Sequence, residues 1–197
     1  MTIHEVVLTQ LAQRDSAATD AAPTTLGDSF LIAASSLLIM AGRIQHLSRD
    51  TDPLNLQQNL IRQVHQLELH LQQKNVRTEQ ILIAKYFICA LLDDLIEYEW
   101  LDGHGLWRSH ALLFHFFQEN NADERVFTLI ERLQQEPSVN IALIEFAYMV
   151  LIYGYQGRYR HMSNGYFKLL EKVDELYQVL NWHYGDFRKS LFIQQRT

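Results

Sequence analysis

The chain has one cysteine, three prolines and eight glycines in 197 residues. A lone thiol excludes a disulfide framework, and Cys89 stands in an apolar run with Phe87, Ile88, Ala90 and Leu91, the setting of a buried, inert thiol. So few breakers leave long uninterrupted stretches, which favours helices over a sheet protein with its many turns. Cationic surplus is also missing. A formal charge of -6 and a pI near 5.8 argue against a nucleic-acid binder, because affinity for phosphates needs a basic surface. Met1 to Glu5 open no basic, apolar and small-residue series of the kind that marks a secretory signal. The two most apolar stretches, Phe30 to Ala41 and Ile141 to Tyr153, are bracketed or interrupted by Asp28, Arg43 and Glu145, and they read as buried helices.

Chemistry-bearing motifs are scarce as well. The nine histidines include two pairs spaced by five, His65 with His70 and His110 with His115, whereas two ligands on one helical face stand three or four apart. There is no Glu-x-x-His, no glycine-rich phosphate cradle and no Gly-x-Ser-x-Gly, so neither a metal, a cofactor nor a catalytic residue is assigned.

What is present is helical periodicity and a 48% hydrophobic composition sufficient for a packed core. Residues 1–25 read as a flexible leader, 26–185 as one helical domain and 186–197 as a C-terminal segment. Within the domain the pattern predicts helices from Asp28 or Ser29 to about Leu47, Leu54 to Asn75, Thr78 to about Glu99, Leu106 to Glu119, Asp123 to Gln135, Val139 to Tyr153 and Tyr166 to about Tyr184. Pro137 should end the fifth of these, and Gly154 should cap the sixth. The last is expected to bury a stripe of Phe167, Leu170, Val173, Leu176 and Leu180.

Two segments are chemically unusual. Asp93, Asp94, Glu97, Glu99 and Asp102 place five carboxylates in ten residues near a helix C-terminus, with no Lys or Arg between Lys85 and Arg108. If exposed, such crowding costs a few tenths of a kcal/mol per pair. It is ordinarily a solvated face, and otherwise a docking surface for a basic partner. On the exposed reading, charge reversal of Asp93 and Asp94 should leave the fold intact. The second segment is Gly154-Tyr155-Gln156-Gly157-Arg158-Tyr159-Arg160, where the glycines suggest positive φ and the arginines should pair with carboxylates of the same domain at a tight corner.

Ile83-Ala84-Lys85-Tyr86-Phe87-Ile88-Cys89-Ala90-Leu91-Leu92-Asp93-Asp94, the tryptophans Trp100 and Trp107, Leu112 to Phe117, Leu143 to Tyr148, and the Gly154 to Arg160 segment together resemble the DotU (IcmH, TssL) family of type VI and type IV-B secretion systems. Asp94 stands where that family usually has Glu, Gln156 where Glu is common, and Asn121-Ala122-Asp123-Glu124 replaces a Gly-Gly-Glu-like turn. The resemblance implies an all-α fold of two packed three-helix bundles forming a hook of seven to eight helices. It also implies a structural subunit on the cytoplasmic face of a bacterial inner membrane, with a C-terminal transmembrane anchor. Asp186 to Thr197 do not supply that anchor, so the sequence is expected to be the soluble part alone or to stop short of the span. Implied partners are an IcmF/TssM-like membrane protein, cytoplasmic baseplate proteins of the TssK and TssE kind, and a second copy in a homodimer. Asp93, Asp94 and Glu97 would be the partner-binding residues. Trp100, Trp107, Gly154, Gly157, Arg158, Tyr159 and Arg160 would be the structural motif. The alternatives are the equivalent type IV-B subunit, or a small helical hydrolase using Asp93 and Glu97 as acid and base.

Overall fold

The structure, a computed structural model, describes residues 25–48, 50–101 and 105–185. Nearly all of the expected leader, the 186–197 segment, and Asp102 and Gly103 of the acidic stretch lie outside the described residues. Seven α-helices make up the rest: α1 (Leu26–Ala41), α2 (Pro53–Gln73), α3 (Thr78–Leu95), α4 (Leu112–Phe117), α5 (Arg125–Leu133), α6 (Pro137–Ile152) and α7 (Gly165–Tyr184). There is no strand among the described residues.

The helix starts follow from local chemistry. α1 begins one turn before the expected Asp28 or Ser29, because Thr25 and Asp28 form a capping box: the Thr25 hydroxyl accepts from the Asp28 amide at 3.1 Å, and the Asp28 carboxylate accepts from the Thr25 amide at 3.0 Å. Asp52 caps α2 by accepting from the amides of Leu54 and Asn55, with Pro53 in the first helical position. Pro137 starts α6 as well as following α5, since the first turn needs no amide there.

α3 is the centre. From Ala84 to Ile96 every residue is buried, and the helix packs against α1, α2, α4, α5 and α6. α1, α2 and α3 touch pairwise as one three-helix bundle. α6 lies between α5 and α7 and joins this second group to the first through α1 and α3. The stretches Leu26–His46 and Pro137–Tyr159 are long and apolar enough, by length and composition alone, to cross a membrane, yet α1 and α6 pack against each other in the core. Phe30, Ala34, Leu37, Ile144 and Val150 are fully buried. At about 25 cal/mol per Å² of apolar surface, faces of this kind outweigh intrinsic helix propensity in holding the helices.

Three expectations change. α3 runs on as a π-helical turn, Ile96–Trp100, which shifts the register by one residue and buries both Ile96 and Trp100. The fourth helix is only Leu112–Phe117, since residues 105–111 leave helical geometry apart from a single 3-10 turn at Arg108–His110. The buried stripe of α7 is half the length predicted: Leu176 and Leu180 are fully buried, but Phe167 is 66% and Leu170 45% exposed, because the Gly157–Tyr159 turn packs on that end of the helix at Gly165 and leaves the Phe167 side uncovered.

Candidate functional site

The acidic end of α3 forms one wall of a cleft of ≈ 750 Å³, and the other walls are the 107–114 segment, the Asn120 to Asp123 turn and Tyr155. Asp93 and Asp94 are each only 8% exposed, so the repulsion expected of solvated neighbours is not their situation. Each is held by donors from elsewhere in the chain.

Asp93 organises the short helix α4. Its Oδ1 accepts from the Trp107 indole at 2.7 Å and from the Leu112 amide at 2.8 Å, and its Oδ2 accepts from the Leu113 amide at 2.8 Å. Ala111, the residue before α4, has no side chain that could cap, so a carboxylate almost twenty residues upstream serves instead. Burial pushes the Asp93 carboxyl up to about 6, with the three N–H donors opposing the rise. Glu97, one turn on, accepts from the amides of Gly105 and Trp107. These demands on the backbone of residues 105–113 explain why the expected longer helix does not form.

Asp94 faces the other way. It accepts from the Arg160 guanidinium at 2.7 Å and from the Gln156 amide at 3.2 Å, and burial raises its pKa against that pairing. Arg160 also lies over the Tyr98 ring at 4.1 Å and 3.7 Å from Glu99. The glycine-rich corner is therefore tied directly to the acidic helix end. Gly157 has φ +46°, and a Cβ there would lie 2.6 Å from the Tyr155 hydroxyl oxygen, so the positive φ and the close approach both require glycine. α6 ends at Ile152 with Tyr153 as its C-cap, and Gly154, with φ +111°, takes the next position, where a helix-terminating glycine is favoured. Arg158 donates to Glu124 and Glu131 and sits against the Phe127 and Tyr159 rings. Trp100, Trp107 and Tyr159 are buried.

Nine of the ten residues singled out from the sequence thus lie at this cleft or at the corner beside it, and the tenth, Trp100, is buried at the end of the π-helical turn. The residue that sequence reasoning did not single out is Asp123. It is half-buried in the cleft wall, and its carboxylate has no hydrogen bond or ion pair among the described residues, although its backbone is fixed by Asn121 and Arg158. The only signal was the departure of residues 121–124 from a glycine-rich turn. Among the described residues no group of three or more His, Cys, Asp or Glu side chains is placed to hold a metal ion. Cys89 is fully buried, and burial pushes its thiol well above the ordinary range.

Residues 29–196 match the family model described as type VI secretion system protein DotU. No curated protein matches the sequence. Among solved structures, the crystal structure of TssL from Vibrio cholerae is similar with a TM-score of 0.68 and 27% identity, covering 77% of this chain and 95% of that one. The cytoplasmic domain of TssL from Acinetobacter baumannii is similar with a TM-score of 0.70, covering 78% of this chain and 97% of that one. At 20% identity it bears on the fold alone.

Proposed function

The chain belongs to the DotU family of type VI secretion system proteins, and from that premise we propose that it is the docking subunit through which the membrane complex of the system recruits cytoplasmic components. The observation that carries the reading is the cleft at the end of α3: an open, carboxylate-lined concavity whose walls are held by hydrogen bonds from three separate segments. A rigid wall reduces the ordering cost of binding, and clustered negative charge speeds the approach of a basic partner.

In this reading the four acidic residues have distinct parts. Asp93, Asp94 and Glu97 shape the cleft and supply negative potential, while Asp123 presents its carboxylate to the incoming surface. The partners are a basic segment of a TssK-like or TssE-like baseplate protein at the cleft and an IcmF/TssM-like protein elsewhere on the subunit. The place of action is the cytoplasmic face of the inner membrane. The type IV-B alternative draws no support from the family description or from the two similar structures, all of which are of type VI secretion proteins or TssL. The hydrolase alternative finds no favouring geometry, since both oxygens of Asp93 and of Glu97 are engaged by N–H groups.

Asp123→Lys tests this reading, because the Asp123 carboxylate has no partner to lose among the described residues and the variant should fold like wild type. Titrated with the TssK-like protein of the same system, it should bind about tenfold more weakly, one reversed charge contact being worth on the order of 1.4 kcal/mol. The deficit should shrink at high salt. A folded variant that binds as tightly as wild type would remove the cleft from the docking surface.

A further inference from the structure

A second cavity, of ≈ 310 Å³, lies at the opposite end of α3, where the start of that helix meets the end of α5 and the start of α6. Gln80 and Asp94 are fourteen residues apart on α3, about 21 Å at 1.5 Å per residue, so this cavity is separate from the acidic cleft.

Its chemistry is that of a donor-rich socket with an apolar floor. Gln80 lines it and is only 5% exposed, yet its side-chain amide has no hydrogen bond among the described residues. Neither polar atom of that amide is among the fully enclosed, unbonded ones, so both open onto the cavity, where an arriving ligand can bond them in place of water. α3 has no side-chain cap: its N-cap is Arg77, which carries no acceptor, and the amides of Thr78, Glu79 and Gln80 at the positive end of the helix are left without a capping oxygen. The Arg77 and Arg132 guanidinium groups also line the cavity, and neither has an ion-pair partner among the described residues. Ile83, Leu129 and Leu143 form the floor.

We propose that this cavity binds the carboxyl terminus of a partner polypeptide whose last residue is aliphatic. Arg77, Arg132 and the start of α3 receive the carboxylate, Gln80 bonds the last peptide unit, and the floor takes the final side chain. A free chain end places a carboxylate and an aliphatic group on one carbon, as these donors and this floor require. The exposed Glu79 and Glu136 at the rim bring its formal charge to zero, which disfavours a dianionic phosphate and selects a single carboxylate.

The probe is N-acetyl-Ala-Ala-Leu with a free carboxylate, titrated into the isotopically labelled full chain and followed by amide NMR, alongside its C-terminal amide and N-acetyl-Ala-Glu-Ala amide. Saturable shifts at Thr78 to Ile81 and at the Gln80 side chain are expected near about 1 mM peptide, with both amide peptides about tenfold weaker. Gln80→Leu should melt no lower than wild type and should weaken binding severalfold. Arg77→Gln with Arg132→Gln should abolish it, while Asp123→Lys leaves it unchanged. Equal binding of acid and amide overturns the proposal, as does the absence of saturable shifts. A lower melting temperature for Gln80→Leu overturns it too, by showing that the amide is a structural bond. Preference for the glutamate peptide would replace a chain end with an internal acidic side chain, and so refute the proposal as stated.

Discussion

Replacing Asp93 with Ala removes one acceptor from three buried donors at once: the Trp107 indole and the Leu112 and Leu113 amides. Each orphaned donor costs about 1 to 3 kcal/mol, or roughly 3 to 6 in total when water enters part of the gap. Against this, the variant no longer buries a charge. An upward displacement from 3.8 to about 6 means that ionised Asp93 opposes folding by about 3 kcal/mol at neutral pH. The net loss is therefore about 0 to 3 kcal/mol at pH 7.5. The pH dependence has a definite sign. A carboxyl with a raised folded-state pKa binds more protons folded than unfolded between about 4 and 6, so its contribution is greatest below the unfolded value and is lost as pH rises through about 6. Wild type gains this contribution on acidification and Asp93→Ala cannot, so the gap between them should widen by about 1 kcal/mol at pH 5. Urea unfolding followed by tryptophan fluorescence at the two pH values measures both numbers, and Trp107 reports directly on the lost bond. Equal unfolding midpoints for variant and wild type at both pH values would refute the account of Asp93 as the cap of α4.

The pairing of Asp94 with Arg160 makes a second prediction. Arg160→Ala leaves a buried carboxylate unpaired and should cost about 3 kcal/mol, whereas adding Asp94→Asn should recover much of that loss; thermal melts of the single and double variants decide it. Charge reversal at Asp93 or Asp94 should disturb folding for the same reason, so loss of partner binding in those variants would say nothing about contact. Gly157→Val forces a β-branched side chain into φ +46° against the Tyr155 hydroxyl and should lower stability by about 2 to 3 kcal/mol. An unchanged melting temperature would show that this corner is free to rearrange.

Helices α1, α2, α3, α5, α6 and α7 were legible in the sequence because a helix is made of bonds between residues four apart and marked by an apolar repeat of three or four. The burial of Cys89 and the positive φ at Gly157 were legible for the same local reasons, one from its apolar neighbours and the other from the glycine pair in a corner. The family was legible too, because its residues lie in short contiguous runs. What only the tertiary structure decided depends on groups far apart in the chain. Asp93 reaches amides nineteen and twenty residues ahead and so sets the length of α4, and Asp94 meets Arg160 across sixty-six residues, so carboxylates that look solvated on a helical wheel are buried and satisfied. Phe167 and Leu170 have the spacing of a buried stripe, yet whether anything covers them depends on where the other helices end. Asp123 and Gln80 are ordinary polar residues in sequence. Their interest comes from the partners they lack among the described residues, and such a lack can be recognised only once the neighbouring elements are placed around them.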